Sequence, residues 1–259
     1  MSFRIPTAQE SEAMRKFVIT PEVVIKRMSK DTRGRTTRPP RRVTGELVPM
    51  SHPSSPRRFL PPSPADTPMA IFSEVPDRSM NGFKRFVHRQ DDCTALFFVD
   101  GACLDNGNAE RRRAGCGVIW NEGPGFSVAL EGTIGGPEQT SNRAELRAVI
   151  LWIQLRLWEA GGFDRMVVAT DSEYVVEGIC SRVDNWKQRG WRTSAGTPVA
   201  HRDLWEMLLA ELDKAERAEI QILFWRIPRE LNSRADALAK AGAESARLDT
   251  FATVSGLML

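Results

Sequence analysis

The chain has 259 residues, a formal net charge of +3, 41% hydrophobic residues and four cysteines, which allows one or two folded domains and gives little basis for a disulfide framework. No apolar run approaches the length of a membrane span, and the N-terminus lacks the charged start, apolar core and small-residue cleavage site of a secretory signal. Charge and proline are unevenly spread: residues 1–92 hold 12 of the 16 prolines and 17 Lys and Arg against 10 Asp and Glu, a formal +7 that leaves −4 for the remainder.

Residues 1–92 read as a basic, mostly disordered region. The run Arg33-Gly34-Arg35-Thr36-Thr37-Arg38-Pro39-Pro40-Arg41-Arg42 and the Ser/Pro-rich stretch 51–68 cannot assemble a sizeable core. Phe17 to Met28 hints at a helix that Pro21 interrupts, and the basic and aromatic stretch Asn81 to Arg89 is suited either to touching nucleic acid or to docking the linker on the folded domain. From residue 93 the pattern changes. Thr94–Gly101, Ala114–Trp120 and Phe126–Ile134 are β-rich runs separated by Gly, Asn and Pro, as consecutive hairpins are. Ser141–Ala160 carries apolar residues at helical spacing, followed by a strand over Asp164–Thr170 and a helix over Ser172–Cys180. Leu204–Leu212 reads as an amphipathic helix, Ile220–Ile227 as the last strand and Asn232–Ala243 as the last main helix. Three antiparallel strands followed by alternating helices and strands predict an α/β fold, a mixed five-stranded sheet with helices on both faces, over residues 93–247, with 248–259 as a C-terminal tail.

Four acidic residues stand out against this frame. Asp100 closes the apolar run Leu96-Phe97-Phe98-Val99, Asp171 closes Met166-Val167-Val168-Ala169-Thr170, Glu145 lies in Ser141-Asn142-Arg143-Ala144-Glu145, and Asp236 in Ser233-Arg234-Ala235-Asp236. A carboxylate at the end of an apolar strand sits on the rim of a sheet, where a ligand reaches it. Several of them converging without a basic partner repel one another. Hard divalent cations relieve that repulsion, and magnesium binds a few carboxylates while keeping waters and taking phosphate oxygens. The pattern reads as a metal-dependent nuclease. Each acid also has a structural reading alone: Asn142 with Glu145 as a capping box, Asp171 as an N-cap, Asp236 as an acid in the first turn of a helix. All would have to hold together. The cysteines Cys93, Cys103, Cys116 and Cys180 show no metal-binding spacing and read as free thiols.

The segments Phe98-Val99-Asp100-Gly101-Ala102-Cys103, Gln139 to Glu145, Thr170-Asp171-Ser172, Asn185-Trp186-Lys187-Gln188-Arg189-Gly190-Trp191 and Ala235-Asp236 resemble the signature of type 1 ribonuclease H, in that family's order and approximate spacing. The resemblance implies an endonuclease that hydrolyses the RNA strand of RNA/DNA hybrids with two Mg2+ ions, Mn2+ being a possible substitute, and leaves a 3′-hydroxyl and a 5′-phosphate. It implies that Asp100 bridges the ions, that Asp236 helps hold the ion beside the attacking water, and that Glu145 and Asp171 hold the one beside the leaving oxygen. It also implies hybrid contacts at a small Gly101-Ala102-Cys103 turn, at Asn106, Ser141 and Asn142, at Thr140 on a DNA phosphate, and at Trp186, Lys187, Arg189 and Arg192 of a basic protrusion along the DNA strand. Packing against the body is the alternative for the two tryptophans, and the preferred one for Trp191. Arg111, Arg112 and Arg113 either extend the basic surface or solubilise a turn.

One departure from the family pattern is the loop Trp225 to Asn232, which lacks the histidine many members carry there; His52, His88 and His201 all lie elsewhere. His201 reads as a capping or surface residue, and Arg229 or Glu230 could serve in the loop. The expected protein is an intracellular monomer of nucleus or cytoplasm, with no membrane association. The Arg-rich tail leaves a mitochondrial destination open, although Glu10, Glu12 and Glu22 come early for a presequence. A catalytically weak hybrid-binding module and a retroelement-derived ribonuclease H are the alternatives.

Overall fold

The computed structural model describes residues 57–77, 84–108, 111–132, 138–155 and 162–246. In chain order these form a helical turn α1 (Pro68–Ile71), strands β1 (Phe72–Pro76), β2 (Lys84–His88), β3 (Asp91–Leu104), β4 (Arg113–Ile119) and β5 (Phe126–Ala129), helix α2 (Ser141–Gln154), strand β6 (Arg165–Thr170), helices α3 (Glu173–Glu177), α4 (Val183–Gln188) and α5 (Arg202–Arg217), strand β7 (Gln221–Arg226) and helix α6 (Ser233–Glu244). A π-helical turn, Gly178–Arg182, joins α3 to α4. The Phe17–Met28 segment, the arginine-rich run and the 248–259 tail lie outside the described residues.

The sheet has seven strands, not five. β3 is long enough to serve several neighbours: it pairs parallel with β6 over Thr94–Phe98, and antiparallel with β2 near its start and with β4 over Phe98–Leu104. β5 extends β4, β7 extends β6 in parallel, and β1 extends β2. The two additional strands come from sequence that reads as a basic linker. Composition concealed them because β2 buries its cation: Arg85 is 1% exposed and pairs with the equally buried Asp77, while Phe72 and Phe86 enter the core. The expected boundary at residue 92 therefore falls inside β3. Residues 84–89 of the basic and aromatic stretch settle on the body, with Phe86 and Val87 buried.

Alternation along the central strands separates two cores. Ala95, Phe97 and Val99 of β3, with Met166 and Val168 of β6 and Ile222 and Phe224 of β7, face α2 and α5 and pack around Trp152 and Trp205. Leu96 and Phe98, with Val167, Ala169 and Trp225, face the other way and pack under Ile71, Phe72, Phe86 and Ala235. Phe59 closes that second core beside Phe72 and Trp225. The chain around Phe59 also seals the outer edge of β7, through Phe224 N–H to the Arg57 carbonyl at 2.7 Å and Phe59 N–H to the Phe224 carbonyl at 2.9 Å.

Glycine sets two close approaches. On β4, a Cβ at Gly115 or Gly117 would fall on the backbone of α6 at Gly242–Ala243 or on the Ala235 carbonyl, so the helix lies directly on the strand. On β3, a Cβ at Gly101 would meet the Ala144–Glu145 peptide, so the first turns of α2 rest there. Gly101, Ala102 and Cys103 are thus strand residues, and the turn comes after them at Asp105–Asn108, where Asp105 has φ 53° and Asn108 N–H reaches the Asp105 carbonyl at 2.8 Å.

Candidate active site

The register of β3 and β6 brings the first two acids together. Phe98 pairs with Ala169, and two residues further along each chain stand Asp100, within β3, and Asp171, just past the end of β6. Asp100 is buried, shares the face of Leu96 and Phe98, and pairs across β4 with Gly117. Because Gly117 has no side chain, α6 descends on that face and carries Asp236 in its first turn. Because Gly101 has none either, α2 brings Glu145 in beside the strand from the opposite layer. Two strands and two helices thus deliver four carboxylates to one rim of the sheet.

The capping readings give way to other residues. Thr140 is the N-cap of α2, its hydroxyl accepting from Arg143 N–H at 3.2 Å, so Asn142 and Glu145 form no capping box. Ser172, not Asp171, caps α3 by accepting from Val175 N–H at 3.1 Å, and its hydroxyl donates to Glu145 Oε2. Glu145 and Asp171 are consequently released from local duties and face the site.

Electrostatics identify the crowded groups. Burial, then the neighbouring Asp171, pushes the Asp100 carboxyl up to about 8, with Asp236 and Glu145 adding to the rise. Burial likewise pushes Glu145 up to about 7, against the Ser172 hydrogen bond and the field of Arg229, which lower it. Asp236 is different: Lys240 Nζ lies 2.6 Å from Oδ2 and Arg229 Nη2 3.5 Å from Oδ1. The expectation of a cluster without basic partners is corrected at this one position, where helical i, i+4 spacing supplies the cation. Arg229, Glu230, Ser233 and Asp236 line an open depression at this end of the site.

No motif in the sequence singles out Asn232, which is 1% exposed. Its side-chain amide donates to the Val99 carbonyl at 3.1 Å and to Asp171 Oδ1 at 2.7 Å. The signal that could have found it is its place four residues before Asp236, as the N-cap of α6.

The residues expected to touch nucleic acid scatter around this rim. Gly101 is buried beneath α2, so its small size serves helix packing. Ala102 and Cys103 are half-buried, Asn106 and Asn142 exposed, and Ser141 half-buried in the first turn of α2. Trp186 stacks edge-on against Trp205 at 5.3 Å, and Trp191 lies under the Arg202 guanidinium at 5.4 Å, so both indoles pack on the body. Lys187 and Arg189 are exposed and make no ion pair with a described residue, whereas Arg192 donates to the Gly196 carbonyl at 2.6 Å. Arg112 also has local work, bonding the Asn106 carbonyl and Glu138. His201 is half-buried beside Thr140 and Tyr174, its pKa lowered by burial and by Arg143.

Similarity to known proteins covers the same part of the chain as the sheet from β3 onward. The family model for RNase H matches residues 92–244. Ribonuclease H of Dechloromonas aromatica (strain RCB) is 38% identical over 151 residues, covering 58% of this chain and 94% of that protein. The chain belongs to the ribonuclease H family. Ribonuclease H1 of Mus musculus is 34% identical over 155 residues, 58% of this chain and 50% of the mouse protein. A solved structure, LC9-RNase H1, a type 1 RNase H with the type 2 active-site motif, is 26% identical over 58% of this chain and 72% of its own, with a TM-score of 0.44.

Ribonucleases H depend on divalent metal, and the rim suits it: oxygen donors only, Asp100 buried and the other three half-buried, with mutual repulsion that a cation relieves. Among the described residues no three of the four site carboxylates bring oxygens within 4.8 Å of one another; the one group that tight is Asp91, Asp92 and Cys93. That group begins β3, about 30 Å along the strand from Asp100 at the usual rise per residue, and Arg165 already pairs with Asp91 at 3.1 Å.

Proposed function

We propose that this enzyme hydrolyses the RNA strand of RNA/DNA hybrids, with Asp100, Glu145, Asp171 and Asp236 holding two Mg2+ ions, for which Mn2+ can substitute. The observation that carries the reading is the delivery of four carboxylates to one rim, the most buried of them pushed up to about 8 by burial and its acidic neighbours. Bound ions of this kind activate a water and stabilise the leaving oxygen of an in-line displacement. The chain's own residues set the frame. Asp100, central in the sheet, would be a ligand common to both ions; Asp236 would help hold the one that activates the attacking water, and Glu145 and Asp171 the one that stabilises the leaving oxygen. Breaking the bond between phosphorus and the ribose 3′ oxygen leaves a 3′-hydroxyl and a 5′-phosphate.

An RNA strand differs from DNA by its 2′-hydroxyls. Glu145, one oxygen already anchored by Ser172, can accept from a 2′-hydroxyl near the cut, and the exposed Asn106 and Asn142 with the half-buried Ser141 would contact the same strand. On the DNA side, Thr140 stands at the positive end of α2, and Lys187 and Arg189 present exposed charge on and just after α4. Arg192 contributes less, because its guanidinium already holds a carbonyl.

Labelled RNA/DNA hybrid, RNA duplex and DNA duplex, each incubated with Mg2+ or with EDTA, test the reading. Only the RNA strand of the hybrid should be cut, and only with metal; cleavage that persists in EDTA overturns it. Replacing Lys187 and Arg189 with Ala should lower the log-log salt slope of hybrid binding by roughly 0.7 to 0.9 for each phosphate no longer neutralised.

A further inference from the structure

Asn232 bonds to more of this site than any motif suggests. Both N–H groups of its buried amide are used, one on the Val99 carbonyl immediately before Asp100 and the other on Asp171 Oδ1. Both partners are acceptors, so the amide can sit only one way round, nitrogen toward the site. Its backbone carbonyl accepts from Asp236 N–H at 3.1 Å, the bond that opens α6. One residue thereby links the strand of Asp100, the side chain of Asp171 and the helix of Asp236.

The remaining atom of the amide, Oδ1, is buried with no hydrogen-bond partner. The contacts to the site are made by its two donors. A lysine or arginine would also hold Asp171, but its charge would compete with a cation. An amide fixes one carboxylate oxygen and leaves the negative charge in place.

We propose that Asn232 is a positioning residue that sets the affinity of the site for divalent metal, by holding Asp171 at a fixed place relative to Asp100. This rests on the reading of the four carboxylates as metal ligands. Residues that orient metal ligands in this way typically cost about 10- to 100-fold in metal affinity or activity when removed.

The test is calorimetric titration of Mn2+ into the free, full-length protein, beside hybrid binding in EDTA and thermal melting. Asn232→Ala should weaken Mn2+ binding about tenfold or more and leave hybrid affinity in EDTA within about twofold of the parent. In an Asp171→Asn background the same substitution should add nothing to the loss of Mn2+ affinity while still lowering the melting temperature, because it acts on metal through Asp171. A folded Asn232→Ala protein that binds Mn2+ like the parent, or effects that add fully in the double variant, would overturn the inference. If the alanine variant does not fold, Asn232→Ser keeps one donor and should lie between parent and full loss; parental affinity in that variant counts against the role. Failure of the parent itself to bind Mn2+, or undiminished binding by Asp100→Asn, would instead remove the metal-site reading beneath it.

Discussion

The four carboxylates divide into two pairs by their surroundings. Asp100 and Glu145 are held in low dielectric, and their ionisation is opposed first by burial and then by other acids. Asp171 and Asp236 have nitrogen donors of their own, the Asn232 amide for one and Lys240 with Arg229 for the other, where Glu145 has only the Ser172 hydroxyl, which does not outweigh its burial. The first pair stores repulsion that a divalent ion releases; the second pair is already partly compensated and fixes geometry. A site divided in this way has charge enough to attract metal without four uncompensated acids in one cavity.

The contrast between the pairs is broken most severely at Asp100. Asp100→Asn should reduce hybrid cleavage more than about 100-fold, beyond the usual cost of losing an orienting partner, while raising the melting temperature in EDTA. Single-turnover assays with melting curves on the same sample check both, and near-normal turnover would place the chemistry elsewhere. Next comes Gly117→Ala. Its Cβ falls on the Ala235 carbonyl, a backbone atom that cannot move aside cheaply, so α6 must shift and carry Asp236 with it. A loss of about 1 to 3 kcal/mol in denaturant unfolding is expected, together with reduced cleavage by the folded fraction.

A smaller effect is the pH dependence of the metal-free protein. Asp100 and Glu145 have folded pKa values of about 8 and about 7, both above their unfolded values. Their contribution to stability is therefore fully present at pH below about 4 and is lost as pH rises, because the unfolded chain gives up these protons first. In EDTA the melting temperature should decline from these two groups between about pH 4 and 8, and Mg2+ should reverse most of the decline at the upper end. A rising curve over that range in EDTA, after correction with Asp100→Asn, contradicts the assignment. The smallest effect belongs to Lys240→Ala. Its exposed i, i+4 pair with Asp236 should change stability by less than about 0.5 kcal/mol, which chemical denaturation can confirm.

Most of the fold and all four acids could be read in the sequence, because apolar periodicity and short motifs are local signals. The elements from β3 to α6 lie close to where periodicity puts them. What escaped were features that exist only after folding. Thr140 and Ser172 take the caps that Asn142 and Asp171 seemed suited to, since sequence cannot say which of two adjacent polar residues adopts the extended cap conformation. Gly115 and Gly117 look like ordinary hairpin glycines until α6 is seen lying on them. Arg85 reads as linker charge until its partner Asp77 is buried beside it. Asn232 showed only its N-cap place before Asp236, because its value lies in two acceptors that are distant in sequence, Val99 and Asp171.

The segment that seals the edge of β7 also determines where the protein can be cut. A chain starting at Asp92, where the family match begins, would lose Phe59, Phe72 and Phe86 from above Phe98, Trp225 and Ile227, and would leave the β7 edge with open hydrogen-bonding groups at Phe224. An apolar sheet face beside an unpaired edge is a template for self-association. A fragment that keeps both the covered face and the sealed edge therefore begins at or before Arg57, some way ahead of the boundary that family comparison alone would choose.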